Sequence, residues 1–133
     1  GLASLHMQHG SSLSANEQIE AYQRADAAYA DLANKYENAI EYATFMRARV
    51  NSQMDPDPSK GLALPYYQTL ADLIGPKAEK DNTDKARVNE SYRYLIAYYL
   101  IQKDDKATAK QYAQKLIELD PESEIAKQVL DMQ

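Results

Sequence analysis

Apolar residues along this chain recur at three- and four-residue steps between short polar stretches, and that spacing repeatedly marks one face of an amphipathic α-helix. The first pattern opens at Ser14-Ala15-Asn16-Glu17, an S-x-x-E capping box that satisfies orphan amides, and runs through Ile19, Tyr22, Ala25, Ala28 or Tyr29, Leu32 and Tyr36. A second, from about Ile40 to Gln53, carries Tyr42, Phe45, Met46 and Ala48 to Val50. It ends before Asp55-Pro56-Asp57-Pro58, because each proline lacks an amide and restricts the residue before it. A third helix is expected from about Leu62 to Ile74, with Pro65 in its first turn and Gly75-Pro76 closing it.

The stretch Lys77 to Asp84 is charged and polar, after which Val88, Tyr92, Leu95, Ile96, Tyr99 and Leu100 give the longest apolar stripe and a fourth helix. Asp104-Asp105 supplies a break and an N-cap for a fifth, carrying Ala109, Tyr112, Ala113, Leu116, Ile117 and Leu119. Asp120-Pro121 is read as the cap and start of a sixth with Ile125, Val129 and Leu130. No Val, Ile and Thr run alternates strictly between turn signals, so the predicted fold class is all-α with about six helices.

The 133 residues, 44% of them apolar, suffice for one core, and we place the helical domain at residues 14–133. Residues 1–13 read as low-information polar sequence, poorly structured, with His6-Met7 matching a cloning remnant. Eleven tyrosines against one Phe and no Trp mean that nearly every large ring carries a hydroxyl to be satisfied or left at a wet edge. A formal charge of -5, with Lys and Arg interspersed among acids, argues against a nucleic-acid partner. No apolar run approaches the roughly 20 residues that span a bilayer, so no membrane insertion is expected. With no cysteine, cytoplasm and periplasm fit equally.

The helix pairs raise the question of a fixed period. Ala109-x-x-x-Ala113, then Leu116, then Leu119-Asp120-Pro121 resembles the second half of a tetratricopeptide repeat (TPR), which pairs two antiparallel helices over about 34 residues. Ala97 and Ala109 match the small residues at which the two helices of a repeat approach; Asp104 stands where the turn usually has Gly, and Ala113 where a large ring is common. A middle repeat pairs Ala48 with Ala63, followed by Tyr67 and Leu70, with extra residues around Asp55 to Lys60. The first helix, with Ala25, Tyr29 and Leu32, looks like the second helix of an earlier repeat, although Glu37 replaces the closing Pro. The resemblance, covering most of Ala21 to Pro121, is to bacterial TPR proteins in particular, found in cytoplasm and cell envelope alike. It implies a short right-handed superhelix of stacked helix pairs, the carboxy-terminal part of a longer solenoid. The last helix is its cap, with Glu122, Glu124, Lys127, Gln128 and Asp131 in water.

What the resemblance implies for function is a protein- or peptide-binding scaffold, with no enzymatic role and no cofactor. The binding face would be the concave surface formed by the first helix of each pair. Aligned on Ala48 and Ala97, it presents Tyr42, Phe45 and Arg49 from the middle repeat and Tyr94 and Tyr98 from the last. Tyr and Arg suit binding hot spots, combining contact area with directed hydrogen bonds. The same tyrosine spacing also fits helix packing. Arg49, Asn51 and Arg93 match the family's carboxylate-gripping set only in part, so no clamp is assigned. The alternative function is self-association of a larger repeat protein through exposed solenoid ends. In that view the helix from Ile19 to Tyr36 leaves an apolar edge that Leu5 to Leu13, or another chain, covers.

Other chemistry is sparse. Asp55-Pro56-Asp57 with Ser59 and Gly61 lacks the alternating ligands and distal Glu of a calcium loop and reads as a turn. His6 and His9 have no third ligand, so no metal site is expected. Asp104-Asp105 and Glu79-Lys80-Asp81 fall in polar turns and read as caps, and no GxSxG, P-loop or GxGxxG is present.

Overall fold

The computed structural model describes residues 14–133, and what was expected of residues 1–13, including cover of the first helix by Leu5 to Leu13 and the His6–His9 pair, lies outside them. The described residues form six α-helices and no strand. These are α1 (Ala15–Lys35), α2 (Ile40–Met54), α3 (Leu64–Ile74), α4 (Asn82–Ala97), α5 (Lys106–Leu119) and α6 (Glu124–Leu130). A 3₁₀ turn, Glu37–Ala39, precedes α2, and a π-helical turn, Tyr98–Gln102, extends α4. The chain divides into two compact units, one ending at Tyr66 and one running from Tyr67 to Gln133.

In the first unit α1 packs against α2, and Ala21 and Ala25 of α1 and Ala43, Ala48 and Val50 of α2 are all buried. Ser14 caps α1 by accepting the Glu17 amide at 3.2 Å, and its hydroxyl donates to the Glu17 carboxylate at 3.0 Å. A polar clip crosses the pair. Arg47 donates to both Asp26 oxygens, at 2.9 and 3.2 Å, and Asn51 Nδ2 donates to Asp26 at 2.9 Å. The same guanidinium reaches the Tyr66 hydroxyl at 3.0 Å and lies 4.5 Å from that ring's centre. Hydrogen bonding to Asp26, ahead of the opposing effect of burial, raises the pKa of Arg47. After α2 the Asp55 carboxylate accepts the Lys60 and Leu62 amides, each at 3.2 Å, and Asp57 accepts the Ser59 amide and hydroxyl, so both acids close the turn.

In the second unit α4 packs on α5 and α5 on α6. Leu70, Ile74, Val88, Leu95, Ile96, Ala109, Ala113, Leu116, Ala126 and Val129 are its buried apolar centre. Helix α4 begins well before its first buried residue. Asp81 and Asp84 form a reciprocal capping box there, the Asp84 amide reaching Asp81 Oδ1 at 2.7 Å. At the other end the chain turns back through Asp104, whose φ of 49° is left-handed, and the Asp105 amide closes on the Tyr99 carbonyl at 2.8 Å. Asp105 then caps α5 through the Thr108 amide (3.1 Å) and hydroxyl (2.6 Å). The sixth helix departs from expectation. It starts at Glu124 with Ser123 as its cap, while Pro121 and Glu122 form a turn in which Asp120 accepts the Glu122 amide at 3.2 Å. The proline suits that turn, and the Ser123 hydroxyl is the better cap because it meets the Ala126 amide at 3.3 Å. Glu122, Glu124, Lys127, Gln128 and Asp131 are all exposed.

Candidate functional site

On α2 the positions 42, 45 and 49 share one side, because three- and seven-residue steps return to nearly the same helix face. Tyr42 is 43% exposed and meets Tyr29 of α1 edge to face, with ring centres 6.1 Å apart. Burial, then the charge and hydrogen bond of Tyr42, push the Tyr29 phenol up. The exposed Arg49 places its guanidinium carbon 4.3 Å from the centre of the Phe45 ring. The structure therefore brings Tyr42, Phe45 and Arg49 onto one half-exposed patch of the first unit. Asn51 lies elsewhere on α2, buried and bonded to Asp26.

Tyr94 and Tyr98 belong to the second unit and stand in a row of stacked and edge-on rings. Tyr67 meets Tyr94 at 4.6 Å, Tyr94 stacks on Tyr98 at 6.1 Å, and Tyr98 meets Tyr99 edge-on at 5.4 Å. Tyr99 continues to Tyr112 at 6.0 Å and Tyr112 to Tyr92 at 6.2 Å. Polar partners hold the row at its margins: the Tyr67 hydroxyl donates to Glu90 at 2.8 Å, and Gln68 donates to the Tyr99 oxygen at 3.2 Å. Burial first, then the neighbouring Tyr112, raises the phenols of Tyr92 and Tyr99. Tyr98 is only 6% exposed, so in this conformation it packs the unit and offers almost no surface to a partner. Tyr94 is half-buried in the same row.

Sequence reasoning missed Tyr67, Tyr99 and Tyr112 as neighbours of this row, because their contacts join three helices and leave no trace in a single stripe. Among the described residues no group of three or more His, Cys, Asp or Glu side chains is placed to hold a metal, and no helix is long and apolar enough to cross a membrane. No family model, curated protein or solved structure matches the chain.

Proposed function

We propose that this chain is a TPR-like helical-repeat module that binds a protein or peptide through the face of α2 bearing Tyr42, Phe45 and Arg49. The observation that carries the reading is the exposed guanidinium of Arg49 stacked on Phe45 beside a part-exposed Tyr42. Stacking restricts the long Arg side chain before a partner arrives, which lowers the ordering cost of binding. Two features support the repeat reading. Ala48 and Ala63, the small pair of the middle repeat, are both buried, and Asp104, standing at the turn's usual glycine, has the left-handed backbone that glycine favours.

The test is capture from source-cell lysate with the wild-type chain and a Tyr42→Ala, Arg49→Glu double variant whose helicity and unfolding midpoint match wild type. A partner retained by wild type and lost by the variant is expected. Identical captures from both would overturn the assignment to α2. The second reading, self-association, is favoured by the exposure of Ile19 (42%) and Tyr36 (57%) on and just after α1. A mass that rises with protein concentration supports it over a monomeric binding module.

A further inference from the structure

The tyrosine row of the second unit is a continuous line of rings in the order Tyr92, Tyr112, Tyr99, Tyr98, Tyr94, Tyr67, with neighbouring centres 4.6 to 6.2 Å apart. These are the separations of aromatic rings in contact, so an electron passes from one ring to the next without crossing backbone. The chain has no Trp and no Cys, which leaves the phenols as its readiest one-electron donors.

The line is not electrically even. The Lys115 ammonium lies 5.8 Å from the Tyr112 ring centre, and that of Lys103 lies 5.9 Å from the Tyr98 ring centre. Each opposes the positive charge that loss of an electron leaves on its ring. A phenol that loses an electron becomes strongly acidic, and the oxidised state lasts where the proton has somewhere to go. The Tyr99 oxygen accepts a hydrogen bond from Gln68 at 3.2 Å, and an amide donor takes up no proton. The Tyr67 hydroxyl donates to Glu90 Oε2 at 2.8 Å, so a base is already in place there, and its negative charge favours a positive one on the ring. Tyr99 and Tyr112 are half-buried and meet water, whereas Tyr67 is 4% exposed and shielded from radical coupling with a second chain.

We propose that the row carries one-electron oxidising equivalents from Tyr99 and Tyr112 to Tyr67 and holds them there as a neutral phenoxyl radical, with the phenol proton on Glu90. The oxidant is a diffusible radical of the carbonate-radical class. It takes one electron from an outer ring and is reduced to carbonate, and electrons passing ring to ring move the deficit to Tyr67. There the O–H bond breaks and the proton passes to Glu90 Oε2, giving a carboxylic acid. One electron from a small reductant of the ascorbate class restores the phenolate, which takes the proton back. This redox activity is independent of the α2 face.

The test irradiates the full chain with tris(bipyridine)ruthenium and persulfate, traps it by rapid freezing and records the electron paramagnetic resonance spectrum. A single slowly decaying tyrosyl radical is expected, and 3-fluorotyrosine placed at position 67 should add fluorine splitting to it. Glu90→Gln, which keeps the side-chain shape and removes the base, should shorten the lifetime at least about tenfold. Tyr98→Phe keeps a ring in the row but interrupts the relay, so the yield at position 67 should fall severalfold while radicals accumulate on the outer tyrosines. Unfolding midpoints confirm that both variants are folded, and the fluorotyrosine protein tests the assignment without removing the phenol. A spectrum without fluorine splitting, or no radical beyond that of free tyrosine, would overturn Tyr67 as the resting place. An unchanged lifetime in Glu90→Gln would overturn the proton acceptor, and an unchanged yield in Tyr98→Phe would overturn the relay.

Discussion

Gly75 is the position at which a single methyl group should matter most. A Cβ there would lie 2.5 Å from the Ala71 carbonyl oxygen and 2.8 Å from the Tyr92 hydroxyl, and the carbonyl belongs to backbone that moves reluctantly. Gly75→Ala is therefore expected to destabilise by about 1–3 kcal/mol in urea unfolding. Asp104 gives a second test of the backbone. Its left-handed φ of 49° tolerates Asp and suits Gly but opposes a β-branched side chain, so Asp104→Val should cost about 1–2 kcal/mol while Asp104→Gly should not lower stability. Asp105 adds a pH dependence. Hydrogen bonds from the Thr108 hydroxyl and amide hold its carboxyl below the ordinary value. A carboxyl depressed in the folded state contributes stability that is present above its unfolded pKa of about 3.9 and is lost as pH falls through the folded pKa. Asp105→Asn, whose cap does not titrate, should show a shallower loss of stability below about pH 4 than wild type in parallel urea titrations.

At the scale of elements, the clip between α1 and α2 is the interaction with the clearest energetic signature. Asp26, Arg47, Asn51 and Tyr66 are mutually bonded and mostly shielded, so removing Asp26 leaves a guanidinium and an amide short of their acceptor. Asp26→Ala should destabilise by about 2 kcal/mol, and a cycle with Arg47→Ala should show strong coupling. None of this clip was legible in the sequence, because Asp26 and Arg47 lie 21 residues apart on different helices. The helices themselves were legible, since six apolar patterns at helical spacing correspond to six helices. Their starts were less so. Helix α4 begins at Asn82, ahead of Val88, because a capping box of two aspartates opens a solvated first turn that carries no apolar signal. Helix α6 begins after Ser123 and not at Pro121, because two caps compete there and only the bonding geometry decides between them.

At the scale of the whole molecule, composition gave the clue that the structure develops furthest. Eleven tyrosines with one other aromatic ring imply packing that must manage hydroxyls, and six of them form one row in the second unit. The candidate site was only partly legible for this reason. Spacing puts Tyr94 and Tyr98 on one side of α4, but whether other rings cover that side depends on Tyr67, Tyr99 and Tyr112. Tyr42, Phe45 and Arg49 remain the accessible part of the expected face.

The measurement that bears most directly on the binding account is photocrosslinking with benzoylphenylalanine placed at position 42, compared with the same probe at the exposed Asn34 of α1. In lysate, the account expects a discrete crosslinked partner from position 42, lost when Arg49→Glu is added, and none from position 34. Crosslinks that are absent at position 42, or that persist unchanged with Arg49→Glu, would contradict it.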